Sequence, residues 1–171
     1  MLPDLAGRPV AQESRAVFLG AYGHLFEHSP WVAERAWALR PYADALALHG
    51  AFMRVLYSAP VEEQLAVIRA HPELADKVTQ AEGLTEDSAK EQASAGLDQL
   101  TAEEYARFHA LNRVYRERFG FPFIICVRLH DKAGILAAMQ TRLANDKDAE
   151  FDEALTQVGK IVRLRLGDIT L

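Results

Sequence analysis

The sequence predicts an all-α protein, a single-domain helical bundle over residues 1–171 with one short extended segment near Phe121–Val127. Alanine occurs 28 times and leucine 21 times, and both residues favour helix. Proline, glycine and capping residues divide the chain into segments in which apolar side chains recur every three or four positions, as in a helix with one buried face. Only one short segment is rich in β-branched residues, and a single extended segment cannot build a sheet.

Proline residues delimit the helices in the first half of the chain. We expect helices over Val10–His28, Trp31–Leu39 and Tyr42–Tyr57, and the first two stop where a proline follows within two residues. A fourth helix is expected over Pro60–Ala70, because proline suits a first helical turn, and Pro72 ends it. The predicted buried stripe of this fourth helix comprises Val61, Leu65 and Ile68.

Capping residues delimit the helices in the second half. Thr101 and Glu104 match a capping box, and the helix that they open is expected to end at Gly120. Its predicted stripe consists of Tyr105, Phe108, Asn112, Tyr115 and Phe119. We expect Asp131 to cap a helix that runs to about Ala144, and Asp148 to cap the last helix. The inward side chains of the last helix are expected to be Phe151, Leu155, Val158, Val162 and Leu166.

Charge and cysteine content narrow the classes of protein and partner. The formal net charge of −5 disfavours nucleic acid, because proteins that bind phosphate backbones carry a basic surplus. Cys126 is the one cysteine, so it cannot form an internal disulfide, and the chain has no Cys/His cluster for zinc. No apolar run approaches the ~18 residues of a membrane span, and we recognise neither a signal peptide nor a peroxisomal signal. These features predict a cytoplasmic protein without nucleic-acid or membrane partners.

His71 is the first candidate for chemistry. It precedes Pro72, so its backbone is expected to be extended just beyond a helix end, where a side chain can point into a cleft. An imidazole titrates near neutral pH and therefore suits general acid–base catalysis. The alternative is a structural histidine that interacts with the free carbonyls of the preceding helix.

The segment Ser88–Gln92 is the second candidate. Ser88 and Glu91 match a capping box at a helix start, which is a structural role. The same geometry offers free N–H groups and a partial positive charge to an anionic ligand, with Glu91 and Gln92 projecting from the first turn. The residues alone favour the capping interpretation.

The strip Phe123–Val127 is the third candidate. Its main-chain N–H and C=O groups have no sheet partner in an all-α fold, yet buried main-chain groups must be satisfied. A neighbouring loop or water can satisfy them. Alternatively, the strip holds a flat ligand that is rich in amide donors and acceptors.

Three weaker patterns favour structural roles. His24, Glu27 and His28 match the H-x-x-E-H pattern of some zinc peptidases, but the pattern runs into a helix end and lacks a recognisable third ligand. We therefore expect no metal site, and a zinc hydrolase is a minor alternative. Asn112 is expected to be a core amide that bonds to a helix end, and Cys126 a buried structural thiol.

Several motifs occur in an order and spacing that resemble one enzyme family. They are HPELA at 71–75, SAKEQASAGL at 88–97, LNxxY at 111–115, FGFPFIICVR at 119–128, HSPW at 28–31 and LRL at 164–166. Together they resemble the 2-oxo-4-hydroxy-4-carboxy-5-ureidoimidazoline (OHCU) decarboxylases, which complete the conversion of urate to (S)-allantoin. The resemblance covers nearly the whole chain. It implies an all-helical, cofactor-independent carboxy-lyase that acts on OHCU and forms a homodimer.

The resemblance also assigns roles to the candidate segments. It implies that His71 handles a proton and that Glu91 is its partner carboxylate. The positions that match substrate contacts are Pro72, Ser88, Ala89, Lys90, Glu91, Gln92, Phe123, Ile124, Ile125, Cys126, Val127 and Arg165. Arg163 and Arg128 are alternatives to Arg165. The alternative function is a non-catalytic helical interaction module, whose apolar stripes and caps would look the same.

Overall fold

The computed structural model describes residues 1–171, and its α-helices and one 3₁₀ turn confirm the all-α prediction. The helices are α1 (Arg15–Tyr22), α2 (Trp31–Trp37), α3 (Ala45–Ser58), α4 (Val61–Ala70), α5 (Lys77–Glu82), α6 (Glu86–Ser94), α7 (Ala102–Phe119), α8 (Lys132–Arg142) and α9 (Lys147–Ile169). The 3₁₀ turn is Val127–Leu129. None of these helices has both the length and the apolar character that a membrane span requires.

The chain forms two compact units. The first comprises Met1–Ala70 together with Gly159–Leu171, and the second comprises His71–Val158. Helix α9 contributes its first turns to the second unit and its last turns to the first. The three candidate segments of the sequence all fall within the second unit.

Aromatic rings fill the core of the first unit, in which α2 packs against α1 and α3. The ring of Phe18 meets Tyr22 edge-on at a centroid distance of 5.0 Å and lies 5.4 Å from the ring of Trp37. Phe52 of α3 meets Tyr22 and Phe26 in the same edge-on manner. Edge-to-face contacts of this kind add to the free energy that burial of the rings provides.

The core of the second unit is built around Tyr115 of α7. Its fully buried ring lies 4.7 Å from Phe119 and 5.3 Å from Phe123, so aromatic packing ties the irregular segment after α7 to that helix. The predicted α7 stripe is confirmed at Phe108, Asn112, Tyr115 and Phe119, which are buried, whereas Tyr105 is half-buried. The segment after α7 has no strand, and its last residue, Val127, begins the 3₁₀ turn.

Three of the predicted helix boundaries, both ends of α7 and the start of α8, are confirmed by the capping geometry. At the start of α7, the Thr101 side chain accepts from the Glu104 N–H at 3.1 Å and the Glu104 carboxylate accepts from the Thr101 N–H at 2.9 Å. Gly120 ends this helix in the left-handed conformation, with φ of 78°, which glycine adopts at little cost. Asp131 caps α8 by accepting from the Gly134 N–H at 2.7 Å.

Three other helices, α1, α3 and α9, begin later or earlier than predicted because another capping residue stands at their start. Helix α1 begins after Ser14 and ends at Tyr22, well inside the expected range. Asp44 caps α3 through the Ala47 N–H, which moves the start of that helix to Ala45. At α9 it is Asp146, not Asp148, whose carboxylate accepts from a first-turn N–H. Each cap satisfies an amide that the helix itself leaves unpaired.

The predicted stripe of α4 is wrong in part. Val61 is 61% exposed and Leu65 is half-buried, whereas Gln64, Val67 and Ile68 are buried. Gln64 is accommodated because its side-chain amide donates to two main-chain carbonyls at the end of α3. The predicted inward face of α9 is confirmed except at Phe151, which is half-buried.

Candidate active site

His71 lies directly after α4, at the beginning of the second unit. Its side chain is only 8% exposed. Pro72 prevents the helix from continuing, and Ala75 adopts a left-handed conformation with φ of 57°, so the chain turns before α5 begins. The predicted position of His71 just beyond a helix end is confirmed.

Two buried side-chain amides hold the loop that follows His71. The Gln92 Oε1 atom accepts from the Ala75 N–H at 3.2 Å, and its Nε2 atom donates to the Glu73 carbonyl at 3.4 Å. Asn112 Nδ2 donates to the Leu74 carbonyl at 2.8 Å. Helices α6 and α7 therefore fix the main chain next to the candidate catalytic histidine. Asn112 is a core amide as predicted, but its partner is a loop carbonyl and not a helix end.

The capping prediction for Ser88 is wrong. Thr85 is the N-cap of α6, and its side chain accepts from the Ser88 N–H at 3.3 Å. The first turn carries Glu86 and Asp87, whose charges suit the positive end of a helix dipole. Ser88 is thus the third residue of the helix, and Glu91 lies in the second turn, beyond the reach of a capping box.

Helix α6 has one buried and one exposed face. Ser88 and Gln92, four residues apart, are buried, and Glu91 beside them is half-buried. Ala89 and Lys90 are exposed, and the Lys90 ammonium lies 2.5 Å from the Glu86 carboxylate. Of the predicted contact segment 88–92, only Ser88, Gln92 and in part Glu91 therefore face the interior.

The strip Phe123–Val127 is buried along its whole length, with no residue more than 5% exposed. It lies outside any sheet, as predicted, and the 3₁₀ turn at its end packs against α6. Helix α6 in turn bonds to the loop after His71 through Gln92. The structure thus links all three candidate segments within one unit.

Two side chains that sequence analysis missed bond to the main chain of the strip. Arg142 Nη1 of α8 donates to the Ile124 carbonyl at 2.7 Å. Gln157 Oε1 of α9 accepts from the Cys126 N–H at 3.0 Å, and the Cys126 thiol is buried, as expected. Both side chains are polar and buried on otherwise apolar helix faces. A polar residue within an apolar helical stripe is the sequence signal that could have identified them.

A buried ionic network lies behind the strip. Glu150 is fully buried and accepts from Arg142 Nε at 2.8 Å, Arg142 Nη2 at 2.5 Å and the Tyr115 hydroxyl at 2.5 Å. Asn145 Nδ2 donates to the other carboxylate oxygen at 3.0 Å. Burial, reinforced by the hydrogen bond to Glu150, raises the pKa of Tyr115 far above its ordinary value of 10.0. Tyr115 is therefore a permanent hydrogen-bond donor.

The three arginines left open by the sequence lie in different places. Arg165 is in the first unit, where its guanidinium bonds to the Leu25 carbonyl at 3.2 Å and to the Glu27 carboxylate at 3.0 Å. Arg163, also in the first unit, donates to the main-chain carbonyl of residue 3 at 3.1 Å. Arg128 is exposed in the 3₁₀ turn of the second unit.

The H-x-x-E-H pattern does not lie on one helix. Helix α1 ends at Tyr22, so His24, Glu27 and His28 follow it in irregular chain, and His28 has a left-handed φ of 46°. The Glu27 carboxylate is instead paired with Arg165 inside the first unit. The pattern therefore lacks the regular helical spacing by which zinc peptidases present such ligands.

One protein family and several individual proteins match this chain in sequence. The family model described as OHCU decarboxylase matches residues 11–167. The 2-oxo-4-hydroxy-4-carboxy-5-ureidoimidazoline decarboxylase of Haloferax volcanii is 43% identical over 151 residues, which is 88% of this chain and 88% of the relative. The enzyme of the same name from Amia calva is 40% identical over 95% of this chain and 93% of the relative.

Two solved structures have a fold similar to that of this chain. A crystal structure of (S)-allantoin synthase superposes with a TM-score of 0.72 and 29% identity, covering 94% of this chain. This chain spans about half of that one, 52% of its length. A crystal structure of OHCU decarboxylase in the presence of (S)-allantoin gives a TM-score of 0.65 at 22% identity, covering 81% of this chain and 89% of the other, and shows the same fold.

Proposed function

This chain belongs to the OHCU decarboxylase family, and on that premise we propose that its second unit carries a catalytic site built from His71, Glu91 and the strip 123–127. The protein is a carboxy-lyase of urate degradation that converts OHCU to (S)-allantoin and CO₂. Its function is therefore enzymatic, which sets aside the interaction module. The observation that supports the site is the link from the loop after His71, through Gln92 of α6, to the turn that ends the strip.

The substrate itself supplies the electron sink for the reaction. OHCU carries a carboxylate and a hydroxyl on one ring carbon, next to a C=N bond. When the bond to the carboxylate breaks, its electron pair forms a C=C bond to the neighbouring carbon, and the C=N pair moves to the nitrogen, which takes up a proton. The hydroxyl then loses its proton as its oxygen becomes the carbonyl of allantoin, and the neighbouring carbon takes up a proton. The work left to the protein is to orient the ring, to manage the hydroxyl proton and to deliver a proton to one face.

His71 suits the proton-handling role. Its ring is almost completely buried, so an interaction with the ring hydroxyl of the substrate would be screened by little water. Glu91, half-buried in the second turn of α6, is proposed to fix the imidazole tautomer or to bond the urea-like N–H groups. Thr85 caps α6, so Glu91 is not required as a capping residue.

Gln92 and the strip are proposed to fix geometry. Both ends of the Gln92 amide bond to the loop after His71, so this side chain holds the loop beside the ligand. The main-chain groups of the strip are proposed to bind the flat ureido and ring amides of the substrate. Spontaneous decay of OHCU gives racemic product, so a chiral site that protonates one face adds stereocontrol as well as rate.

The decisive experiment is to add the protein to freshly made OHCU and to follow the circular dichroism of the product. We expect optically active (S)-allantoin to form faster than in buffer, and the rate to survive exhaustive chelation. Racemic product formed at the buffer rate would refute the assignment. Light scattering of the same sample tests the proposed homodimer, and fractionation of cells tests the proposed cytoplasmic location.

A further inference from the structure

We infer that Gln157 and Arg142 are positioning residues, which hold the strip 123–127 so that the main-chain N–H and C=O of Ile125 face the substrate. The inference rests on the proposed function, because it concerns how the strip meets OHCU. It adds two side chains from α8 and α9 that lie outside the segments recognised in the sequence.

The first argument is the pattern of main-chain hydrogen bonds along the strip. The Ile124 carbonyl is bonded to Arg142 and the Cys126 N–H is bonded to Gln157. Ile125, between them, makes no main-chain hydrogen bond within the protein although it is buried. In a trans peptide group the C=O and the N–H point in opposite directions, so the Ile125 N–H points away from the side of the Ile124 carbonyl, and the Ile125 C=O away from the side of the Cys126 N–H. The anchoring of residues 124 and 126 therefore turns the amide groups of Ile125 away from α8 and α9.

The second argument is that both anchors are themselves fixed. The Arg142 guanidinium is held by Glu150 and lies 4.3 Å from the centre of the Phe123 ring. It therefore contacts two consecutive residues of the strip, Phe123 and Ile124. Gln157 Nε2 donates to the Glu153 carboxylate at 2.6 Å, which orients the amide with its oxygen towards Cys126. A donor or acceptor held in this way costs little reorganisation when a ligand binds.

Ile125 is thus left with a buried N–H and a buried C=O, on two consecutive peptide groups, that make no hydrogen bond within the protein. Buried main-chain donors and acceptors are satisfied in nearly all folded proteins, by protein, water or ligand. A ureido or ring amide presents a donor and an acceptor side by side, which matches the N–H and C=O of one residue. If the anchors are lost, the main-chain groups of Ile125 should be less well oriented and should bind the substrate more weakly.

The test is the variant Gln157→Met. Methionine has nearly the same side-chain length and volume as glutamine but lacks the amide oxygen that accepts from the Cys126 N–H. We expect KM for OHCU to rise about fivefold, the equivalent of one neutral hydrogen bond, with kcat within about twofold of the wild type. The matched control is Gln64→Met. Gln64 is buried to the same degree as Gln157 (7% and 6% exposed) and also bonds to main chain, but lies in the first unit. The control should lose comparable stability and keep the wild-type KM.

Rescue separates positioning from simple destabilisation. In the double variant Glu153→Gln/Gln157→Glu, a carboxylate at 157 can accept from Cys126 N–H while the amide at 153 donates to it. We expect KM to return to within about twofold of the wild type. Arg142→Lys tests the other anchor: it keeps the charge beside Glu150 but lacks the fork that reaches Glu150 and Ile124 together, and KM should again rise.

The outcomes distinguish the inference from the proposed function. Wild-type protein that gives no optically active product overturns both. An active wild type with an unchanged KM in Gln157→Met and Arg142→Lys overturns the inference alone. A rise in KM that the double variant reverses and Gln64→Met does not reproduce supports it, and circular dichroism of each variant establishes that it is folded.

Discussion

Asn112 Nδ2 donates a hydrogen bond of 2.8 Å to the main-chain carbonyl of Leu74, three residues after His71. Both partners are buried, and the Asn112 Oδ1 atom has no protein partner, so the amide is committed to this loop through its donor alone. Helix α7 thereby controls the position of a loop that lies 38 residues away in the sequence. The bond connects the stability of the second unit to the placement of the histidine.

Replacement Asn112→Ala should therefore reduce both stability and rate. The Leu74 carbonyl would remain buried without its donor, which costs about 1–3 kcal/mol of unfolding free energy. Because the loop is also freed, kcat should fall while KM changes less. Urea denaturation and steady-state kinetics measure the two effects. A variant with lower stability but an unchanged kcat would show that the loop does not depend on this bond.

The sequence could predict Asn112 as a core amide but not its partner. A polar residue on an apolar 3–4 stripe is a local signal, and the stripe of α7 was recognisable from its period. The partner carbonyl belongs to a loop that only tertiary packing brings near. The same holds for Arg142 and Gln157, whose bonds to the strip join residues 18 and 31 positions apart.

Helix starts are hardest to predict where two capping residues stand close together. Thr101 has its capping-box partner Glu104 three residues later, and this predicted cap is confirmed. At α6 and α9, two suitable residues stand close together: Thr85 precedes Ser88, and Asp146 precedes Asp148. In both cases the earlier residue caps the helix. Intrinsic preference does not separate such neighbours, because packing of the whole helix decides where its first turn lies.

The buried network behind the strip should respond asymmetrically to mutation. Tyr115→Phe removes one hydrogen bond to a charged group, which should cost about 1.5–3 kcal/mol of unfolding free energy. Arg142→Met should cost more, about 3–5 kcal/mol, because it leaves the Glu150 carboxylate buried without its counter-charge. Adding Glu150→Gln to Arg142→Met should restore part of the loss. Urea denaturation of the three variants checks this order, and equal losses for all of them would contradict it.

Stability should fall on the acid side because of His49. Burial of its ring lowers the pKa below 6.5, the nearby charge of Arg163 lowers it further, and the hydrogen bond to the Gly159 carbonyl opposes both effects. In the unfolded chain His49 takes up a proton near pH 6.5, whereas the folded protein resists protonation until lower pH. The stability contributed by the neutral ring is thus present above pH 6.5 and is lost as the pH falls from 6.5 to the folded pKa.

The variant His49→Gln isolates that contribution, since glutamine can still donate to the Gly159 carbonyl but does not titrate. We expect the wild type to lose stability relative to the variant as the pH falls below 6.5, with parallel curves above that pH. Urea denaturation above and below that pH measures the difference. Parallel curves throughout would mean that His49 has the same pKa in both states.

His71→Asn should remove most of the activity and leave the fold intact. His71 lies beyond the end of α4, and asparagine retains a polar side chain there, so no large cavity opens in the core. Loss of one general acid–base group typically lowers the rate ~10²–10⁴-fold. Kinetics with OHCU and thermal melts provide the two measurements. An unfolded variant would indicate a structural role, and near-normal activity would remove His71 from the mechanism.

Glu91→Gln and Thr85→Ala should separate catalysis from helix capping at α6. Thr85 accepts from the Ser88 N–H, so Thr85→Ala removes the cap and should cost roughly 0.5–2 kcal/mol of unfolding free energy with little change in rate. Glu91 lies in the second turn and has no capping role, so Glu91→Gln should leave the melting temperature near the wild-type value.

The rate of Glu91→Gln should nevertheless fall, because glutamine keeps the shape of the side chain but loses the charge proposed to orient His71 or to bind the ureido N–H groups. The two variants thus have opposite signatures: one lowers stability alone and the other lowers rate alone. Melting temperatures and kcat for both, measured on the same preparations, decide the matter. Unchanged kinetics in Glu91→Gln would leave His71 without its proposed carboxylate partner and would move the search for that partner to other groups of the second unit.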